Sequence, residues 1–117
     1  MASLFSVTMP APPSVNNLFK NAGRKGRVPT SDYEDWKRKA GWHVRSQRPQ
    51  PVHGPVVVTI VHGKRRADLD NLNKAPLDLL VSLGLIRDDG PDVVRELHCS
   101  FGEVDGCRVT IKQMETA

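Results

Sequence analysis

The chain has 117 residues, 17 of them Lys or Arg against 13 Asp or Glu, for a net charge of +4. That length holds one domain able to bury a single core without staples, and the mild positive excess suits a phosphate-rich partner. Its apolar runs are too short to cross a bilayer, and Met1-Ala2-Ser3-Leu4-Phe5 has neither the basic start nor the apolar stretch of a signal peptide. The expectation is a soluble cytoplasmic protein. Two cysteines, Cys99 and Cys107, are too few for a disulfide framework or a thiolate zinc site and read as buried small hydrophobes.

Ser3 to Met9 alternates, with Phe5, Val7 and Met9 on one face, and is predicted as a first strand that Pro10, Pro12 and Pro13 end. Lys20, Arg24, Lys25 and Arg27, with Gly23 and Gly26 between them, make residues 20–30 a mobile, exposed basic loop in this reading. Ser31-Asp32-Tyr33-Glu34 has the form of a capping box opening a helix whose stripe is Tyr33, Trp36, Ala40 and Val44. Pro49 and Pro51 stop it.

Pro55 to His62 reads as a central strand apolar on both faces, Val56, Val58 and Ile60 on one and Val57 and Val61 on the other. A basic turn follows, then a second helix ending at Ser82 or Leu83 with Gly84 as its stop. Pro76 is expected to kink or delay that helix, because it removes a hydrogen bond to the Leu72 carbonyl. Asp88-Asp89-Gly90-Pro91 is a turn. Val93–Phe101 (Val93, Leu97, Cys99 and Phe101 inward) and Cys107–Gln113 are predicted to form a hairpin whose tip is Asp105-Gly106. The order β-α-β-α-β-β gives an α+β fold, a small mixed sheet with two helices packed on it.

The chemistry concentrates in Lys64-Arg65-Arg66-Ala67-Asp68-Leu69-Asp70-Asn71-Leu72-Asn73-Lys74. Side chains two residues apart diverge on a helix but share a face in extended backbone, so Asp68 and Asp70 converge only at a strand end or a helix start. Two convergent carboxylates repel unless a cation lies between them, and hard oxygen ligands suit Mg²⁺ or Mn²⁺. Lys74, four residues after Asp70, would offset charge developing on a phosphate. A plainer account makes Asp70 an N-cap helped by Asn71 or Asn73, and Asp70–Lys74 an ordinary surface pair. Asp70, Lys74, Leu77 and Val81 form one stripe and Leu69, Leu72, Pro76, Leu79, Leu80 and Leu83 another, so the helix is covered on two sides.

Arg65-Arg66-Ala67-Asp68-Leu69-Asp70-Asn71-Leu72-Asn73-Lys74-Ala75 resembles the basic run and Asp-Leu-Asp-Asn-Leu-x-Lys element of the RusA family of Holliday-junction resolvases. Gly84-Leu85-Ile86-Arg87-Asp88-Asp89 is similar to the family's second acidic element, and Pro12-Pro13-Ser14-Val15-Asn16-Asn17 to its N-terminal loop. The resemblance implies a Mg²⁺-binding cluster of Asp68, Asp70 and Asp89, with Asp88 able to assist or substitute, Mn²⁺ replacing Mg²⁺, and Lys74 as the functional lysine. It also implies a homodimer nicking symmetry-related strands of a four-way DNA junction, with no small-molecule cofactor and no membrane. Asn16, Lys64, Arg65, Arg66, Lys20, Arg24, Lys25 and Arg27 are the expected DNA contacts, positioning phosphates without reading sequence. Pro76 and the residue 20–27 loop depart from the family pattern. His62 and His98 lie in strands and are left without a role. Tyr33 and Trp36 sit at core spacing, whereas Trp42 lies off the stripe and is the better candidate to stack on an unpaired base. The rival functions are a non-catalytic nucleic-acid-binding module and a metal-dependent nuclease acting on other branched or single-stranded DNA.

Overall fold

The computed structural model describes residues 4–114; Ser3, expected to open the first strand, lies outside them. The elements are β1 (Leu4–Met9), β2 (Phe19–Asn21), β3 (Arg27–Pro29), α1 (Ser31–Ser46), β4 (Val56–Gly63), α2 (Lys74–Ser82), β5 (Val94–Gly102) and β6 (Cys107–Gln113), with 3-10 turns at Val15–Asn17, Gly23–Lys25 and Leu69–Leu72. β1, β6, β4 and β5 form a four-stranded mixed sheet in that order, and β2 pairs with β3 in a separate two-stranded sheet. The mixed α+β architecture is as expected. No helix among the described residues is long and apolar enough to cross a membrane.

The core lies on one face of the sheet because alternate residues of three strands stack there in register. Val7, Val109 and Ile60 make one row, Met9, Cys107 and His62 the next, and all are buried. Helix α1 lays Tyr33, Trp36, Ala40 and Val44 on this face, the predicted stripe. It also closes the free edge of β1. The Gln47 side chain accepts from the Thr8 N–H at 2.9 Å and donates to the Thr8 carbonyl at 2.7 Å, so that part of the edge offers no unpaired backbone.

Helix α1 starts one residue earlier in its capping than the sequence suggests. Thr30, extended after Pro29, is the N-cap, and its Oγ1 accepts from the Tyr33 N–H at 3.1 Å. The same hydroxyl donates to the Asn17 carbonyl at 2.7 Å, tying the helix start to the N-terminal loop. Residues 20–30 are likewise not a shapeless loop: β2 and β3 pair as a hairpin, with Phe19 opposite Pro29. Phe19 anchors it, meeting the Tyr33 ring edge-on at 5.8 Å and carrying the Arg27 guanidinium 5.3 Å above its face.

The expected β5–β6 hairpin does not form. β5 runs parallel to β4 on one side, and β6 runs antiparallel to β4 on the other. Residues 103–106 therefore step over the end of β4, a span of two strand spacings or roughly 10 Å. Glycine makes the crossing possible: a Cβ on Gly63 would lie 2.6 Å from the Val104 carbonyl oxygen, and one on Gly106 only 2.4 Å from that of Met9. Consequently Cys99 pairs with Ile60, not with a residue near Lys112, and both cysteines are free thiols. Burial pushes the Cys107 thiol up to about 12, so it is an inert hydrophobe. Leu97, Cys99 and Phe101 lie on the inward face, opposite Val58, Ile60 and His62, but because β5 is an edge strand Leu97 and Phe101 stay 41% and 39% exposed. On β4, Val57 and Val61 are half-buried, so only one face of the central strand is fully covered.

Gly106 and Gly54 share a positive φ of 78°, but only Gly106 has backbone within 4 Å of the place a Cβ would occupy. Gly106→Ala is expected to lose at least about 2 kcal/mol of stability, and Gly54→Ala about 1 kcal/mol, by denaturant unfolding. Equal losses would remove the steric reason for the crossing.

Candidate active site

The segment after β4 is extended at Asp68 (φ −74°, ψ 133°) and then closes into the Leu69–Leu72 turn that carries Asp70. Asp68 stands at the N-cap position of that turn without using its side chain as a cap. Among the described residues neither the Asp68 nor the Asp70 carboxylate has a hydrogen-bond or ion-pair partner, and both are exposed. The capping account of Asp70 therefore finds no support, and an Asp70–Lys74 surface pair is not formed.

What holds this turn in place is buried. His62, at the end of β4, is fully buried, and its Nε2 lies 2.8 Å from the Asn73 Oδ1. Asn73 Nδ2 donates to the Leu69 carbonyl at 3.0 Å, which leaves Oδ1 as acceptor and makes His62 Nε2 the donor. The opposite nitrogen, Nδ1, is then an unprotonated acceptor, buried and without a partner among the described residues. Burial holds the imidazole pKa below its usual value, only partly offset by the Asn73 hydrogen bond. His62 is thus a neutral link between sheet and turn. Its enclosure leaves it no access to a substrate proton.

Helix α2 begins at Lys74, so Pro76 falls in its first turn, where a missing N–H costs no internal hydrogen bond. The proline delays the helix behind a 3-10 turn and does not kink it. Lys74 Nζ reaches Asp78 Oδ1 at 3.1 Å and Asp89 Oδ2 at 3.4 Å. The hydrogen bond to Asp78, followed by the nearby Asp78 and Asp89 charges, outweighs burial and raises the Lys74 pKa, so the ammonium is secure at neutral pH. Asp78 is itself held by the Tyr33 hydroxyl, which donates to its Oδ2 at 3.0 Å. Burial and the Asp78 charge keep that phenol protonated well above its ordinary range. Sequence reading passed over Asp78, although its place four residues after Lys74 on one helical face was a usable signal.

Asp88 and Asp89 have different surroundings. Asp88 Oδ1 accepts the Asp89 backbone N–H at 2.8 Å and is taken up in the turn, whereas Asp89 is turned toward Lys74. Aspartates of this kind are suitable donors for a hard divalent ion, and the oxygens of Asp68 and Asp70 are free to serve. The expected cluster of three is not gathered, however. Among the described residues no three His, Cys, Asp or Glu groups are placed to share a metal, and Asp89 is engaged by Lys74.

The basic residues divide likewise. Arg65 Nη1 donates to the Pro12 carbonyl at 2.6 Å, so it clamps the N-terminal loop, while Lys64 and Arg66 are exposed beside it. Asn16 is exposed on the Val15–Asn17 turn, which packs against the Leu69–Leu72 turn. Lys20, Arg24, Lys25 and Arg27 line the β2–β3 hairpin, all exposed. His98 pairs with Glu96 at 3.1 Å on the exposed β5 strand.

A mixed α+β domain with solvent-facing aspartates on one turn, a lysine fixed beside them and exposed cations around them has the make-up of a phosphodiester hydrolase acting on nucleic acid. The family described as endodeoxyribonuclease RusA matches residues 10–113, and the chain belongs to it. The protein is therefore an endodeoxyribonuclease, of a family that resolves Holliday junctions. No curated relative matches the sequence.

A neutral buried His62 fixes the sign of a pH effect. The unfolded chain takes up a proton near 6.5 and the folded one resists it, so the contribution is complete above that pH and declines below it. Unfolding free energy between pH 7 and pH 5 should fall by up to about 1.4 kcal/mol per unit in the wild type, less steeply in His62→Gln. A flat wild-type profile would contradict the buried neutral state.

Proposed function

We propose that the protein is a Mg²⁺-dependent, structure-specific endonuclease that resolves four-way DNA junctions by paired nicks, acting as a homodimer in the cytoplasm. The observation that carries this reading is the pair of unpartnered carboxylates, Asp68 and Asp70, on a turn braced from inside and adjacent to the lysine-bearing start of α2. A surface aspartate pair free of caps and salt bridges is suited to a cation.

Phosphodiester hydrolysis adds water at phosphorus as the bond to the 3′ oxygen breaks, and that oxygen leaves with a proton. Asp68 and Asp70 would hold the ion, while Asp89, the third donor that the family resemblance implies, is engaged by Lys74 in this structure. Bound Mg²⁺ supplies an activated water and neutralises phosphoryl charge. Lys74, kept cationic by Asp78 and Asp89, faces the same charge build-up from the protein side. Tyr33 acts through Asp78 as a positioning residue, limiting the ways in which Lys74 can move. Lys64, Arg66 and Asn16, with the hairpin cations Lys20, Arg24, Lys25 and Arg27, would grip phosphates; Arg65 serves by fixing the loop that carries Asn16. A homodimer would present two such sites to symmetry-related strands.

Asp70→Asn is expected to bind a synthetic four-way junction as tightly as wild type and to nick it at least about 100-fold more slowly in Mg²⁺, on a denaturing gel. Nicking at the wild-type rate would reject the role of Asp70. Persistent binding with no nicking by wild type in Mg²⁺ or Mn²⁺ would favour a non-catalytic module, and preference for flaps or single strands would redirect the substrate.

Tyr33→Phe removes the hydroxyl from Asp78 but keeps the ring in the core. The expected result is slower nicking, by about 3- to 10-fold, with unchanged junction affinity, since a hydrogen bond to a charged group is worth roughly 1.5 kcal/mol. Lost affinity at unchanged turnover would instead make Tyr33 part of the binding surface.

A further inference from the structure

Away from the aspartate turn, helices α1 and α2 leave an open groove of about 650 Å³ between them. Its floor is apolar. Gly41 faces Leu83 and Leu79, whose methyl carbons would lie 3.7 and 3.8 Å from a Cβ at that position, so the helices meet there with no bulk in between. Trp42 stands at the groove 76% exposed, whereas Trp36, the other tryptophan, is 7% exposed and donates its Nε1–H to the Pro10 carbonyl at 3.0 Å. The packing of the domain does not account for leaving Trp42 in water.

The ionisable side chains lining this groove, Lys37, Arg38, Lys39 and Arg45, are all cations. Arg38 is paired with Asp35 at 2.7 Å, and the Lys37 ammonium lies 5.0 Å over the Tyr33 ring. Lys39 and Arg45 have no such partner among the described residues. Each is three residues from Trp42, one before it and one after, so on helical geometry the two cations are about 9 Å apart along the axis with the indole between them. A flat aromatic flanked by free cations, with no carboxylate in the lining, is complementary to a base with its 5′ and 3′ phosphates.

The geometry points to a second DNA site: the α1–α2 groove takes an unpaired nucleotide, the base stacked on Trp42 and the adjoining phosphates on Lys39 and Arg45. Joints in branched DNA and frayed arms supply such nucleotides. The inference rests on the reading that DNA is the substrate, but it concerns binding apart from cleavage. Trp42 lies outside the candidate catalytic set.

The test uses the full-length protein in EDTA, where metal-dependent nicking is suppressed, titrated with a dT12 strand and with an abasic strand of the same length. Expected for wild type is a quench of the exposed tryptophan emission by dT12 and little by the abasic strand. Trp42→Ala should weaken dT12 binding about 10-fold and abolish the quench, with the signal of Trp36 unchanged as evidence of an intact fold. Lys39→Ala and Arg45→Ala should each lower the slope of log affinity against log salt by about 0.7. Equal binding of the abasic strand, or undiminished binding by Trp42→Ala, would overturn the proposal. So would a quench by an acidic peptide with none by dT12, which would assign the groove to a protein partner. Junction nicking in Mg²⁺ is scored separately: lost nicking with the dT12 response intact would count against the catalytic reading and leave the groove standing.

Discussion

The hydrogen bond from His62 to Asn73 joins the sheet to the segment that carries Asp68 and Asp70. His62 is the last buried residue of β4, and Asn73 passes the constraint on to the Leu69 carbonyl. The acid-bearing turn is thereby tied to an interior strand of the four-stranded sheet, although its own backbone forms only a short 3-10 turn. In low-dielectric surroundings such a polar contact is costly to break, because either partner left alone would be buried and unsatisfied. Small exposed turns are ordinarily among the least stable parts of a fold, and here one is fastened from beneath.

A second set of contacts gathers distant segments around one ammonium. Lys74 from the start of α2 meets Asp89 from the turn before β5 and Asp78 from its own helix, and Asp78 is held in turn by Tyr33 of α1. Each pair is partly exposed, so its contribution to stability is small. Its effect is directional: the charge of Lys74 is maintained, and the angle of approach is limited by two carboxylates. Asp68 and Asp70 are thus open to solvent, whereas Asp78 and Asp89 are occupied.

The helices and the central strand were legible because their apolar spacing matches one buried face, as at Tyr33, Trp36, Ala40 and Val44 or at Val56, Val58 and Ile60. The Asp68–Lys74 segment stood out in the sequence because its residue types sit ill with a plain helix start, and the structure leaves Asp68 and Asp70 exposed and uncapped. Strand pairing was not. Cys107–Gln113 follows Val94–Gly102 after four residues with an Asp-Gly, which suits a hairpin as well as it suits a step across β4, and only the close approach at Gly63 and Gly106 decides. The β2–β3 hairpin was hidden by its charge, since a single ring, Phe19, does the anchoring. Nor does periodicity tell that Asp89 would be drawn to Lys74 while Asp88 satisfied its neighbour's amide. That choice depends on contacts between residues far apart in the chain.

The sheet order also constrains how the chain is made. β1 leaves the ribosome well before β6, its partner in the sheet, so Leu4 must wait for Lys112. Until the final strand emerges, β4 has β5 on one flank and an open backbone on the other. Nascent chains halted before Cys107 would expose two unmatched strand edges, a template for association with one another, and the sheet can close only once β6 has been made.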